Sequence, residues 1–492
     1  MTVTTLVLLI IVFLIILLAL RMPVAFALGF AGAVGLVLLR GYGHTTNVLG
    51  SAPFSETASF SLTIIPMFTL MGMLAVKARI AEQVFAVAAF VFRRLPGGLG
   101  VAAIMASAGF AAVSGSSIGT AATMSKLSVG EMRKYGYPLS LAAAAVAVAG
   151  TLGVLIPPSV FLVLYAIMVG ESVAEVLAAG IIPGIISAFA YAAWMIFAMS
   201  RHSAKTARIE DTMSLDEAID IAAGKETSGL ITPIRQEPTD GWHYDTRSIA
   251  SVPIPQPSYE GTDYTKITHV RELPWRGVVR VGILFFIVLG GMYSGVFTPT
   301  ESAAIGAITA GVMLAVEMFR EGFRAIVGSF IEAFKETAGT TSMVFSIIVG
   351  SSILSAFFIQ AKVPRMLTNA VLDWGLPAHL TLGIMLLALI PLGMALESIS
   401  ILVITVPLIY PVAMELGFSG IWLAVLIVKL IEIGLVTPPV GINCFVVAGT
   451  AGIKASDVFK GVLPFVLVDM AVLVLLFFVP AISTWLPSLV KV

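Results

Sequence analysis

Two adjacent prolines inside an apolar run long enough to cross a membrane constrain this chain more than any other feature. The stretch Gly150-Thr-Leu-Gly-Val-Leu-Ile-Pro-Pro-Ser-Val160 cannot stay one helix, because each proline lacks an amide donor and its ring clashes with the preceding turn. Carbonyls near Leu152 to Ile156 then lose their helical partners. In lipid, such backbone is tolerated only where it is buried in protein or lines a water-filled cavity, and cavities of that kind hold ions and substrates. Far downstream, Glu432-Ile-Gly-Leu-Val-Thr-Pro-Pro-Val-Gly-Ile-Asn443 repeats the device.

The surroundings of both breaks are apolar. Of 492 residues, 58% are hydrophobic and only 11% charged, and the formal net charge is zero. Apolar runs of roughly 20 residues, the length that crosses a hydrocarbon core about 30 Å thick, follow one another along most of the chain. Barrel strands would be shorter and alternating, so an all-α polytopic membrane protein is predicted, with lipid as its immediate surroundings. The balanced charge gives no reason to expect nucleic acid as a partner. A single cysteine, Cys444, excludes an internal disulfide. The histidines at 44, 202, 243, 269 and 379 are scattered, and no metalloprotease, nucleophile-elbow or Walker motif occurs, which argues against an enzyme and against ATP as direct energy source.

Along residues 1–200 the pattern predicts helices over 3–20 and 23–39, a polar interval over 40–56, and a span over 59–76 bent by Pro66 in its middle. The first run lacks a basic leader and a cleavage site, so it is expected to be retained. A short apolar segment, 84–92, precedes a Gly/Ala/Ser-rich run, 97–118. The interruption Ser114-Gly-Ser-Ser117 predicts a re-entrant hairpin with its tip at the serines. A charged segment (126–137), a helix (139–155), the first break, a half-helix (159–169) and a span (174–200) follow. Residues 201–276 hold nine Lys/Arg and twelve Asp/Glu, so they cannot lie in lipid. They form a hydrophilic linker, either a plain tether or a segment for regulation or partner docking. Arg201, Lys205 and Arg208 beside a helix end put it on the cytoplasmic side. Residues 277–492 predict spans over 277–297, 301–319, 338–360 and 380–396, a polar tip at Glu397-Ser-Ile-Ser400, a helix over 421–436, the second break, a half-helix to Gly449 and a last span, 462–483.

Laying the second half on the first without a gap, so that Pro438 falls on Pro157, aligns the two. The same shift pairs Ser117 with Ser398, Gly136 with Gly417, Gly153 with Gly434, Pro158 with Pro439 and Gly180 with Gly461. The matches concentrate on residues that fix backbone shape, so a fold unit repeats. Two such units, usually inverted in the membrane and meeting through discontinuous helices, are the signature of secondary transporters.

That reading gives the polar residues work. Ser114, Ser116, Ser117 and Thr120 at one tip, and Ser398 and Ser400 at the other, supply hydroxyls. The breaks supply carbonyls from Gly153 to Ile156 and from Gly434 to Thr437. Hard oxygens around a small cation suit sodium. The half-helices after Pro158 and Pro439, opening at Ser159 and near Asn443, offer amides to an anionic substrate. The serines also have a purely structural alternative, satisfying backbone groups where small residues let helices pack. Lys429 and Glu432 lie three apart on one helix and are expected to pair; Glu301 is expected to cap a helix.

At these residues the chain resembles the large membrane subunit (DctM-type, M subunit) of tripartite ATP-independent periplasmic (TRAP) transporters. The resemblance rests on Met22-Pro-Val-Ala-Phe-Ala, Ser114-Gly-Ser-Ser-Ile-Gly-Thr-Ala-Ala, Gly153-Val-Leu-Ile-Pro-Pro-Ser159, Phe297-Thr-Pro-Thr-Glu-Ser-Ala-Ala and the second break. It implies a bacterial inner-membrane importer of organic acids that is driven by sodium and moves as an elevator. A periplasmic binding protein would feed it, and a small four-helix membrane subunit would join it. Its sodium sites would lie between each hairpin tip and its broken helix. The 201–276 insertion is longer than the usual link between halves.

Overall fold

Without water to accept backbone hydrogen bonds, the chain satisfies them internally. In the computed structural model, which describes residues 2–212, 273–373, 375–439 and 441–490, all regular structure is accordingly helical. The first half comprises α1 (Val3–Ala19), α2 (Val24–Arg40), α3 (Tyr42–Thr57), α4 (Ile64–Lys77), α5 (Ile80–Phe92), α6 (Gly98–Ser114), α7 (Ser117–Met124), α8 (Gly130–Lys134), α9 (Leu139–Leu155), α10 (Val160–Val169) and α11 (Val173–Thr212). The second comprises α12 (Trp275–Phe285, continued by a π turn, Phe286–Gly290), α13 (Pro299–Glu317), α14 (Phe323–Gln360), α15 (Val363–Leu372), α16 (Ala378–Leu387), α17 (Leu389–Ala395), α18 (Ser398–Glu415), α19 (Gly420–Val436), α20 (Ile442–Ala451) and α21 (Ala455–Phe478). Among the described residues, eight helical stretches are long and apolar enough to cross a membrane. Most of the 201–276 linker lies outside the described residues.

Several expectations are corrected. The polar interval is helix α3, whose hydroxyls turn inward: Thr45 donates to the Gly41 carbonyl at 3.0 Å and Ser51 to that of Asn47 at 2.9 Å. Such back-bonding lets a polar sequence remain helical. Pro66 does not bend a span. It is the third residue of α4, where a helix has no amide to lose. The first hairpin extends beyond Ile118: its return arm runs through α7, a π turn (Ser125–Val129) and α8, so the charged segment from Lys126 belongs to it. The span predicted over 338–360 starts at Phe323. The expected cap at Glu301 is present as a reciprocal capping box with Thr298.

Each hairpin has its two feet together. Tyr137, after the return arm, accepts a hydrogen bond from the Leu99 amide at the start of α6, at 3.1 Å. In the second hairpin (α16–α17, then α18) the His379 ring stands 4.9 Å from that of Phe418, edge to face. Tyr137 and Phe418 obey the spacing of the two proline pairs, since 418 minus 137 equals 438 minus 157, while their partners Leu99 and His379 fall one residue short of it. So do α9 and α19, for which 420 minus 139 and 436 minus 155 give the same value. Gly136 and Gly417 are both left-handed (φ +75° and +80°), and both Pro-Pro bonds are cis. The repeat is therefore present in the backbone as well as in the sequence.

The core is built on α9 and α19, which are buried along nearly their whole length and pack on each other and on α11 and α21. Small residues permit this closeness: Gly461 of α21 lies against the Ser140 carbonyl of α9. Farther out, α2 packs on α14 through Gly32 and Gly350. A β-carbon at Gly350 would fall 2.1 Å from the Ala25 carbonyl oxygen. Gly350→Val is therefore expected to push α2 and α14 apart at a cost of about 1–3 kcal/mol. Thermal unfolding of the purified protein, which should begin at a lower temperature than in the parent chain, checks this.

Candidate functional site

The first break is closed over by the first hairpin tip. Helix α9 ends at Leu155, Ile156 is extended (φ −76°, ψ 122°), and Pro157 and Pro158 are both buried. Gly153, one turn before the break, lies under the tip: a β-carbon there would sit 3.0 Å from the Ser116 carbonyl oxygen and 3.4 Å from the Ser117 amide nitrogen. Gly115 at the tip is left-handed (φ +59°) and faces the Pro158 carbonyl, which a β-carbon would approach to 3.0 Å. The predicted residues Ser116, Ser117, Gly153 and Pro158 thus come together.

Their hydroxyls are partly engaged. Ser114 and Thr120 share a hydrogen bond of 2.7 Å, and Ser116 accepts from the Gly119 amide at 3.2 Å. A hydroxyl oxygen keeps a further lone pair in such bonds. Ser159 bridges the break itself, donating to the Val154 carbonyl and accepting from the Leu162 amide at 3.3 Å, with no exposed surface. It thereby takes up one carbonyl that the prolines release, and caps α10.

The second break differs. Pro438 and Pro439 are exposed. Gly434 packs on Gly393 of α17, four residues before the tip, and a β-carbon at Gly434 would fall 2.5 Å from the Gly393 Cα. Ser398 is buried at the start of α18, and Ser400 reaches the Glu397 carboxylate at 3.4 Å. Thr437 ends α19 and donates to the Ile433 carbonyl. Asn443, fully buried in α20, donates to the Ala147 carbonyl of α9 at 3.4 Å and leaves its Oδ1 without a partner among the described residues. Each half-helix packs on the return arm of the other hairpin, α10 on α18 and α20 on α7. Ser125 reaches the Val447 carbonyl at 3.4 Å. The two units therefore interlock through their half-helices. Hydroxyl and carbonyl oxygens of this kind can hold a small hard cation.

Lys429 and Glu432 pair as expected, at 3.1 Å, but two further residues join them. Asp469 of α21 takes the Lys429 ammonium at 2.6 Å, and Tyr191 of α11 donates to the same Asp469 oxygen. All four side chains are buried, and one oxygen each of Glu432 and Asp469 lacks a partner among the described residues. Asp469 carries its own signal in the sequence, a lone acid inside the apolar stretch 461–478. The repeat sets Val148, Thr151 and Ala188 of the first unit opposite Lys429, Glu432 and Asp469, so these positions of the first unit carry no charge.

The profile of the family described as "Tripartite ATP-independent periplasmic transporter, DctM component" matches residues 11–482. The chain belongs to the DctM family. It is thus the large permease component of a TRAP transporter, a bacterial inner-membrane protein and not an enzyme. The chain is 30% identical to the C4-dicarboxylate TRAP transporter large permease protein DctM of Vibrio cholerae, over 95% of this chain and 94% of that one. It is 28% identical to the sialic acid TRAP transporter large permease protein SiaM of the same species, over 95% of each. Among solved structures, the YdaH transporter of Alcanivorax borkumensis shares the fold (TM-score 0.52, 14% identity, 93% of this chain and 97% of that one).

Two outcomes follow for this DctM-family permease. Gly434→Ala, aimed at backbone, is expected to lower the unfolding temperature more than Gly153→Ala. Equal shifts would contradict the closer packing of the second break. Lys429→Met strands two buried carboxylates and is expected to cost about 3–5 kcal/mol, read as a lowered unfolding temperature.

Proposed function

We propose that this permease imports an organic acid, a C4-dicarboxylate or another carboxylate, in symport with sodium. Its cargo is handed over by a periplasmic binding protein, and a small four-helix membrane subunit completes the complex. The observation that carries this reading is the seating of the first serine tip on Gly153 and Pro158, beside carbonyls that the break has freed. One sodium ion binds there among Ser114, Ser116, Ser117, Gly153 and Ile156. A second binds among Ser398, Gly434 and Thr437.

The cargo carboxylate lies between them. Helix α20 starts at Gly441 without a side-chain cap, next to the exposed Pro439, so its first amides are available to an anion. Ser159 already caps α10, which leaves Thr120, Pro158 and Asn443 to line the cargo position. The Asn443 Oδ1, unpartnered among the described residues, accepts a donor from cargo or binds cation.

The two units run in opposite senses across the membrane. Tyr165, near the end of α10, donates to the Gly420 carbonyl at the start of α19, at 2.8 Å, whereas α21 begins against the start of α9 at Ser140. Arg93, Arg94, Arg133 and Lys134 flank the feet of the first hairpin, which places that end in the cytoplasm. Two inverted units around a common site support an elevator motion of the hairpins and broken helices against the outer helices.

Co-reconstitution into liposomes with the binding protein and small subunit tests the reading. Uptake is expected only with an inward sodium gradient and with the binding protein present. Uptake without the binding protein would instead mark a self-sufficient sodium/dicarboxylate symporter, and flux that ignores sodium would mark an uncoupled channel or scaffold. Gly153→Leu is expected to reduce sodium-driven uptake to background while the protein remains in the membrane; near-normal uptake would overturn the site.

A further inference from the structure

At the end of the molecule that gathers the feet of the first hairpin, Arg93 and Arg94 follow α5 and Trp275 opens α12. Between them lies a surface cavity of about 410 Å³, lined by Phe90, Val91, Arg93, Arg94 and Trp275. Three apolar and two cationic side chains thus share one surface. The Arg93 guanidinium lies 4.0 Å from the centre of the Phe90 ring, a cation–π contact within the lining. Val91 and Trp275 remain exposed, at 56% and 41%. The cavity also stands at a membrane boundary. The apolar part of α11 ends nearby, since Gly97 packs on Met199, and Arg201 follows with its guanidinium 4.5 Å from the Phe197 ring. Tryptophan and arginine at that depth are the side chains that meet lipid headgroups.

We propose that this cavity binds the headgroup of one anionic phospholipid from the surrounding membrane. Arg93 and Arg94 hold its phosphate, because planar guanidinium forks match phosphate oxygens and two adjacent cations attract one anion together. The glycerol and acyl chains leave over Val91 and Trp275. Basic pockets between membrane helices on the cytoplasmic side suit such headgroups. Helix α5 joins α4 to the first hairpin, so the lipid sits at the joint between the outer helices and the hairpin. The inference rests on membrane residence and not on sodium coupling or the identity of the cargo.

Non-denaturing mass spectrometry of the purified full-length chain, equilibrated in micelles with phosphatidylglycerol or phosphatidylcholine, tests it. Phosphatidylglycerol is expected to be retained in preference. The double variant Arg93→Gln/Arg94→Gln should lower its retention about a hundredfold, the scale of two lost charge-assisted contacts at about tenfold each. Arg133→Gln/Lys134→Gln, at the same end but outside the cavity, should leave it unchanged. Arg94→Gln alone serves if the double variant does not fold. Equal retention of both lipids, equal loss in the Arg133/Lys134 variant, or binding of inorganic phosphate as tight as that of phosphatidylglycerol would overturn the proposal.

Discussion

A backbone carbonyl released inside a hydrocarbon layer has to find a partner, and much of this structure follows from how that need is met twice. At the first break Ser159 takes the Val154 carbonyl, while the hairpin tip lowers its own backbone onto Gly153 and Pro158. The tip can approach so closely only because residue 153 has no side chain and Gly115 can adopt a left-handed turn. Those two glycines and the proline pair fix where a hairpin must end. The burial of α9 follows, because a helix that carries freed carbonyls into the membrane centre has to be wrapped by protein.

The second unit solves the same problem differently. Its break is exposed, its glycine meets another glycine in the inner arm instead of the serine tip, and its half-helix lacks a side-chain cap. It also carries the buried Lys429, Glu432 and Asp469, which Tyr191 of the first unit joins, where the first unit has Val148, Thr151 and Ala188. The corresponding positions of the first unit pack without charge. The repeat thus supplies a frame, and the departures from it mark which half is open and polar.

Much of this frame is legible in the sequence because glycine and proline dictate backbone shape locally. The register between the halves, the tips and the two breaks all rest on such positions, and α9 and α19 keep that register at both ends. What escapes a linear reading depends on tertiary context. Helix α3 is hidden because its hydroxyls bond back to carbonyls one turn earlier, so a polar sequence is helical. The return arm of the first hairpin is hidden because Lys126, Glu131 and Arg133 resemble a loop until Tyr137 is seen to close on Leu99. The partner of Gly434 could not be foreseen either, since Gly393 belongs to a different helix with no sequence mark linking them.

Sodium at both tip-and-break pairs is the proposal on which the transport reading depends. Equilibrium binding of radioactive sodium to the purified chain, with potassium as competitor, tests it most directly. At least two ions per chain, not displaced by an equal concentration of potassium, is the predicted result. One ion or none, or displacement by potassium as effective as by sodium, would contradict it.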